Sequence, residues 1–214
     1  MTLTNSLGGV SPGLHGRVIA VLGRTTTALT GRTIASLVRP EASQSGVQRV
    51  LDDLVRHGLV RSEPAGSAKL YTMNRRHLAY PAIDQLVHLR EALLTHMQEE
   101  ADSWEVPAGA IWLFGSTARG EADAGSDIDV FVLRRDEIGD SDRQWQDQLD
   151  ALTESVSGWT GNRCEILELS QAELKAAKRR GDRIVSELAR DAVPVSGASP
   201  RQIIGRPPAG RAGK

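Results

Sequence analysis

At 214 residues the chain can hold one large domain or two small ones, and 40% hydrophobic with 25% charged side chains excludes disorder throughout. No run approaches the roughly 20 apolar residues of a membrane helix, and the opening MTLTNSLGGV lacks the basic and apolar regions of a signal peptide, so no membrane partner and a cytoplasmic location are expected. The single cysteine, Cys164, excludes intrachain disulfides and a cysteine-built zinc site.

The net charge of -1 conceals a segregation of signs. Residues 1–80 carry ten basic and four acidic side chains, residues 81–196 carry twelve and twenty-three, and the last eighteen carry four basic ones and no acid. A basic front on an acidic body suggests two modules, the first facing a polyanion and the second a cation.

Residues 12–24 place Leu14, Val18, Ile19 and Leu22 on one helical face. Thr30 can cap a second helix at 31–38, which Pro40 stops. A third helix over 43–57 buries Val47, Val50, Leu51, Leu54 and Val55, ends at Gly58, and turns Gln44, Ser45, Gln48 and Arg49 outward. The runs LVRSE (59–63) and SAKLYTM (67–73) read as a hairpin joined through Pro64-Ala65-Gly66. From Pro81 to Trp104 one long helix is expected, with Ile83, Leu86, Val87, Leu93, Leu94 and Met97 in a stripe that Arg90 interrupts. That stripe packs on its own domains or serves as the seam of a homodimer.

The second module reads as strand 110–115, strand 127–133, helix 141–157, strand 163–169 and a final helix over 171–190. Trp104, Trp112, Trp145 and Trp159 are expected in its core. The Gly-, Pro- and Arg-rich stretch 196–214 reads as a disordered basic tail.

Chemistry concentrates in GSTARGEADAGSDIDVFVL. Gly115 lets a phosphate approach the backbone, the Ser116 hydroxyl can bond that phosphate, and Arg119 can offset its charge. Strand alternation sends Asp127 and Asp129 to one face while Ile128 points into the core. Two such carboxylates suit Mg²⁺, or Mn²⁺, which takes oxygen ligands and completes its shell with phosphates and water.

The two halves resemble two known families. The run SGVQRVLDDLVRHGLVRSEPAGSAKLYTMNRRH is similar to bacterial winged helix-turn-helix regulators. This implies double-stranded DNA as partner, with the 43–57 helix in the major groove and the 63–69 wing on the backbone. Gln48 and Arg49 would then suit base edges, Arg56, Arg61 and Lys69 phosphates, and the outward Gln44 and Ser45 complete the DNA-binding set. A winged helix used only for protein contacts is the alternative.

The Gly-Ser turn, Ala-Arg-Gly and Ser-Asp-Ile-Asp resemble the signature of the minimal nucleotidyltransferases of the DNA polymerase β-like superfamily. That resemblance implies a small α/β domain with a mixed sheet, binding a nucleoside triphosphate through metal ions. Gly115, Ser116 and Ser126 match its phosphate-binding positions and Asp127 and Asp129 its metal carboxylates. A third carboxylate, the base for the acceptor hydroxyl, is matched by Glu165, with Glu168 as the competing candidate on the opposite face.

The expected architecture is therefore α+β: a winged helix-turn-helix at 1–80, a linker helix at 81–104, a nucleotidyltransferase domain at 105–195 and the tail at 196–214. The resemblance implies a regulator that transfers a nucleoside monophosphate to a protein, RNA or small-molecule acceptor, in some relatives within toxin-antitoxin systems. A catalytically inactive nucleotide-sensing regulator and an enzyme acting on a small substrate are the alternatives.

Overall fold

The computed structural model describes residues 7, 10, 11, 13–120 and 125–205. The start of the chain, the EADA segment of the signature string and the 206–214 part of the expected tail lie outside the described residues. The chain forms two compact units that divide between Leu89 and Arg90.

The N-terminal unit runs α1 (Leu14–Gly23), β1 (Leu29–Thr30), α2 (Gly31–Leu37), α3 (Gln44–Arg56), β2 (Val60–Ala65), β3 (Ala68–Met73) and α4 (Tyr80–Val87). Local capping sets its helix starts. The Thr30 hydroxyl accepts from the Thr33 amide at 3.1 Å, and Ser43 accepts from the Gly46 amide at 3.1 Å. Gly58, with φ of 74°, supplies the left-handed residue that releases the chain after α3. Val18, Leu22, Ile34, Val47, Leu51 and Leu54 meet in one core with Val60, Tyr71 and Val87.

The three strands pair antiparallel in the order β1-β3-β2. The hairpin turns one step later than its composition suggests. Pro64 and Ala65 belong to β2, opposite Lys69 and Ala68, and the turn is Gly66-Ser67. β2 is an edge strand, where a proline lacking an N–H is tolerated.

The expected linker helix is two helices. His88 has left helical geometry (φ -105°, ψ 22°), and both its N–H and its imidazole Nδ1, 2.8 Å away, engage the Asp84 carbonyl. A side chain joining the backbone ladder in this way ends the helix, and α5 (Leu89–Asp102) begins anew. The apolar stripe is divided accordingly: Val87 packs in the N-terminal core, while Leu93 and Met97 are buried and belong to the C-terminal unit.

The C-terminal unit continues β4 (Ala110–Phe114), α6 (Gly115–Arg119), β5 (Ile128–Arg134), α7 (Arg143–Thr160), β6 (Cys164–Ser170), α8 (Gln171–Arg180), α9 (Arg183–Asp191), β7 (Val193–Gly197) and α10 (Pro200–Ile203). Its sheet is mixed, in the order β6-β5-β4-β7, with β5 and β6 parallel and the other pairs antiparallel. On one face Trp112 stacks on Phe131 at 4.7 Å and packs with Leu174, Val185, Leu188 and Ile204 from the helices that follow β6. On the other, Ile111, Leu113, Val130 and Val132 are fully buried.

Three expectations fail in this unit. The 171–190 helix breaks at Gly181, whose φ of 72° is left-handed. The stretch 196–205 is ordered: β7 pairs with β4, and Ile204 is buried in the core. Trp159 is 41% exposed and lies beside the His96 ring, unlike the buried Trp104, Trp112 and Trp145. Among the described residues no helix is long and apolar enough to cross a membrane.

Candidate functional site

Where β4 ends, the backbone turns at Gly115 (φ 69°) directly into the short helix α6. A Cβ at Gly115 would lie 2.0 Å from Asp129 Oδ2, so only glycine lets the turn close over that carboxylate. Asp129 sits opposite Phe114 on β4 and opposite Glu165 on β6. Asp127 immediately precedes β5 and shares the parity of Asp129. Ile128 between them is buried, as the alternation demands.

The electrostatics agree with the register. Burial raises the Asp129 carboxyl above the ordinary carboxylate range; the charges of Glu165 and then Asp127 add to this, and Arg119 opposes it. Three carboxylates thus feel one another at one end of the sheet. Burial first, then Asp129 and Glu165, pushes the Cys164 thiol up to about 12, so this cysteine is an inert core residue.

The pairing register separates the two glutamates of β6. Glu165 shares the face of Asp129, is half exposed, and pairs with Arg163 at 3.0 Å. Glu168 lies opposite Val132 on the reverse face, where it accepts from Arg134 Nε at 2.6 Å and from Trp145 Nε1 at 2.9 Å. Those bonds commit Glu168 to joining α7 to the sheet.

Two contacts that sequence reasoning did not assign hold the segment before β5. The buried Asn162 donates from Nδ2 to the Ser126 carbonyl at 2.8 Å, and the Ile128 amide donates to the Arg163 carbonyl at 2.8 Å. No local pattern announces Asn162, because its partner is 36 residues away. Arg119 is exposed at the end of α6 and donates to Asp191 Oδ2 at 3.3 Å, an anchoring role its sequence context does not disclose.

Among the described residues no group of three His, Cys, Asp or Glu stands ready to enclose a metal. The donor set nevertheless fits magnesium, which is commonly held by one or two carboxylates with phosphates and water completing its shell. Asp129 is pushed up first by burial and then by the charges of Glu165 and Asp127, and a divalent cation would relieve the part that those charges add.

Residues 97–180 match the model of the nucleotidyltransferase domain family. The nucleotidyltransferase match contains Gly115, Ser116, Asp127, Asp129 and both glutamates of β6, and ends with α8. No curated protein matches the chain. A solved structure described as a toxin-antitoxin with AMP-PNP is 17% identical over 54% of this chain and 80% of its own, with a TM-score of 0.35. A structure of TrmBL2, described as an archaeal chromatin protein with a novel mode of DNA binding, is 16% identical over 86% of this chain and 75% of its own, with a TM-score of 0.30. At these scores neither likeness bears on fold or function.

The N-terminal unit carries the other expected residues. Gln44, Ser45 and Arg49 are exposed on α3, and Arg61 and Lys69 are exposed on the hairpin. Arg56 is exposed and pairs with Asp53 at 3.0 Å. A cleft of about 530 Å³ opens among Arg32, Gln44, Gln48, Lys69 and Tyr71. Gln48 is not the free outward side chain its position suggests: it donates to Asp52 Oδ1 and to the Tyr71 hydroxyl, both at 2.9 Å, tying α3 to β3.

Proposed function

We propose that this chain is a DNA-binding regulator whose C-terminal unit binds a Mg²⁺–nucleoside triphosphate and transfers the nucleoside monophosphate to an acceptor hydroxyl. The observation that carries this reading is the register of Asp129 against Glu165, beside the Gly115-Ser116 turn and inside the matched nucleotidyltransferase segment.

Asp127 and Asp129 would hold the metal, with Glu165 at its edge. When bound, Mg²⁺ supplies charge neutralisation of the phosphates and polarises the reacting phosphoryl group. Gly115 keeps the turn clear of side-chain bulk, and Ser116 and Ser126 would bond phosphate oxygens. Glu165 would take the acceptor's proton as its oxygen bonds to the α-phosphorus; the bond to the β-phosphate oxygen breaks and pyrophosphate leaves. Asn162 keeps the Ser126–Asp127 segment in place.

The element order α1, α2, α3 and hairpin, with β1 closing a three-stranded sheet, supports a winged helix-turn-helix at the front. In that reading α3 enters the major groove of double-stranded DNA with Gln44, Ser45 and Arg49, while Arg56, Arg61 and Lys69 meet phosphates. A cytoplasmic setting suits both partners. Placement within a toxin-antitoxin system rests on the sequence resemblance alone.

A second reading, a nucleotide-responsive regulator without catalysis, is favoured by the pairing of Glu165 with Arg163 and by the lack of a ready three-ligand group among the described residues. The two are separated by incubating the protein with Mg²⁺, each labelled nucleoside triphosphate and a cell lysate as acceptor source, beside Asp127→Ala/Asp129→Ala. Label transferred by the wild type alone supports the transferase. Binding that needs both aspartates but moves no label supports the second reading, and absence of binding overturns both.

A further inference from the structure

Helix α6 carries the Gly115-Ser116 turn, yet it is one of the least self-supporting elements of its unit. It has five residues, too few to form a stable helix alone. Its middle residue, Thr117, is fully buried, and the Thr117 hydroxyl has no hydrogen-bond partner among the described residues. At its front, the turn closes on the Asp129 carboxylate with no room for a Cβ. Small displacements of α6 therefore alter the space between the turn and the carboxylates.

Besides the Arg119–Asp191 contact at its end, α6 is tethered from α5. Arg90 donates from Nη2 to the Ala118 carbonyl at 2.9 Å and from Nε, more weakly, to the Thr117 carbonyl at 3.4 Å. Both acceptors lie in the last turn of α6, where the Gly120 N–H also reaches the Thr117 carbonyl at 3.3 Å and a cation is favoured by the helix dipole. Arg90 is half-buried, which shields these bonds from solvent. It is also the side chain that breaks the apolar stripe of α5, a position where packing alone would select Leu or Ile.

We infer that Arg90 is a positioning residue for the nucleotide site: its guanidinium sets α6, and so fixes the Gly115-Ser116 turn at the distance from Asp127 and Asp129 that a metal-bound triphosphate requires. This rests on the nucleotidyltransferase reading of that site. A guanidinium can serve both carbonyls at once, an ammonium only one at a time, and an alanine neither.

The test uses the full chain and compares wild type, Arg90→Lys and Arg90→Ala in Mg²⁺-dependent binding of each nucleoside triphosphate, with thermal unfolding and amide exchange over 115–119 measured without nucleotide. The expected result is an affinity about tenfold weaker in Arg90→Ala, the usual cost of removing a group that orients a metal–ligand site, with Arg90→Lys between the two. Amide exchange over α6 quickens in the same order while exchange in β4 and β5 stays as in wild type. If Arg90→Ala unfolds, Arg90→Lys carries the comparison alone, because it keeps the charge and the stem and loses only the second donor. Wild-type affinity in a folded Arg90→Ala overturns the inference, as does wild-type affinity and exchange in Arg90→Lys where Arg90→Ala unfolds. No binding by the wild type overturns the reading of the site itself.

Discussion

The two faces of β6 carry the same residue type to different ends. Glu168 is gripped by Arg134 and Trp145 on the face toward α7, whereas Glu165, three residues earlier, stands half exposed beside Asp129. One glutamate accepts two hydrogen bonds that join α7 to the sheet, and the other pairs with a surface arginine. A carboxylate available for chemistry is one the fold leaves underused, and Asp129 is raised by burial first and by its neighbours Glu165 and Asp127 after it. α3 repeats the lesson, with Gln48 absorbed by Tyr71 and Asp52 while Arg49 is left exposed.

The sharpest way to break the contrast is at the carboxylates. Asp127→Ala or Asp129→Ala is expected to lower label transfer on the order of a thousandfold, since several kcal/mol of metal-borne charge stabilisation go with either side chain. Quantified transfer from each nucleoside triphosphate checks it; undiminished transfer removes the site from this end of the sheet.

Glu168→Gln is next in size. Arg134 is only 11% exposed at its side chain, so removing its partner's charge should cost about 2 kcal/mol in denaturant unfolding. Glu165→Gln breaks a pair exposed at 76% and 47%, and should cost less than about 0.5 kcal/mol while slowing transfer. Equal stability losses would erase the distinction between the faces.

On α3, Arg49→Ala should weaken DNA binding by about 1 kcal/mol with the fold unchanged. Gln48→Ala should instead lower stability by about 1 kcal/mol through its bonds to Tyr71 and Asp52. Titration of labelled DNA beside thermal unfolding reads both.

The smallest effect is the pH dependence of Asp129. Its raised pKa means the folded state binds that proton more tightly than the unfolded chain, so the associated stability is present at acidic pH and is lost as pH rises through the raised value. Without metal, Asp129→Asn should melt a few degrees above wild type at neutral pH, and the gap should close on acidification. A variant no more stable at neutral pH would contradict the raised carboxyl of Asp129.

Legibility followed the range of the interactions. Ser43, Thr30 and Gly58 act within four residues and set α2 and α3 where expected. The spacing of Asp127 and Asp129 carried their shared face for the same reason. Period-two alternation put Glu165 and Glu168 on opposite faces but not which face held Asp129; that needed the parallel pairing of β5 with β6. β7 went unread because VPVSG is short, contains a proline and is a strand only through β4, more than 70 residues earlier in the chain. Gly181 was visible, but the helix-forming composition on either side of it, including the Lys178-Arg179-Arg180 run before it, masked the break. Arg90 stood out as a charge in an apolar stripe, while its partners on α6 could not be read.

Mn²⁺ binding followed by electron paramagnetic resonance, with a non-hydrolysable nucleoside triphosphate and with wild type, Glu165→Gln and Glu168→Gln compared, tests the central claim most directly. The assignment of Glu165 to the metal site predicts affinity about tenfold weaker in Glu165→Gln and within roughly twofold of wild type in Glu168→Gln. Weaker binding in Glu168→Gln with Glu165→Gln unaffected would contradict it.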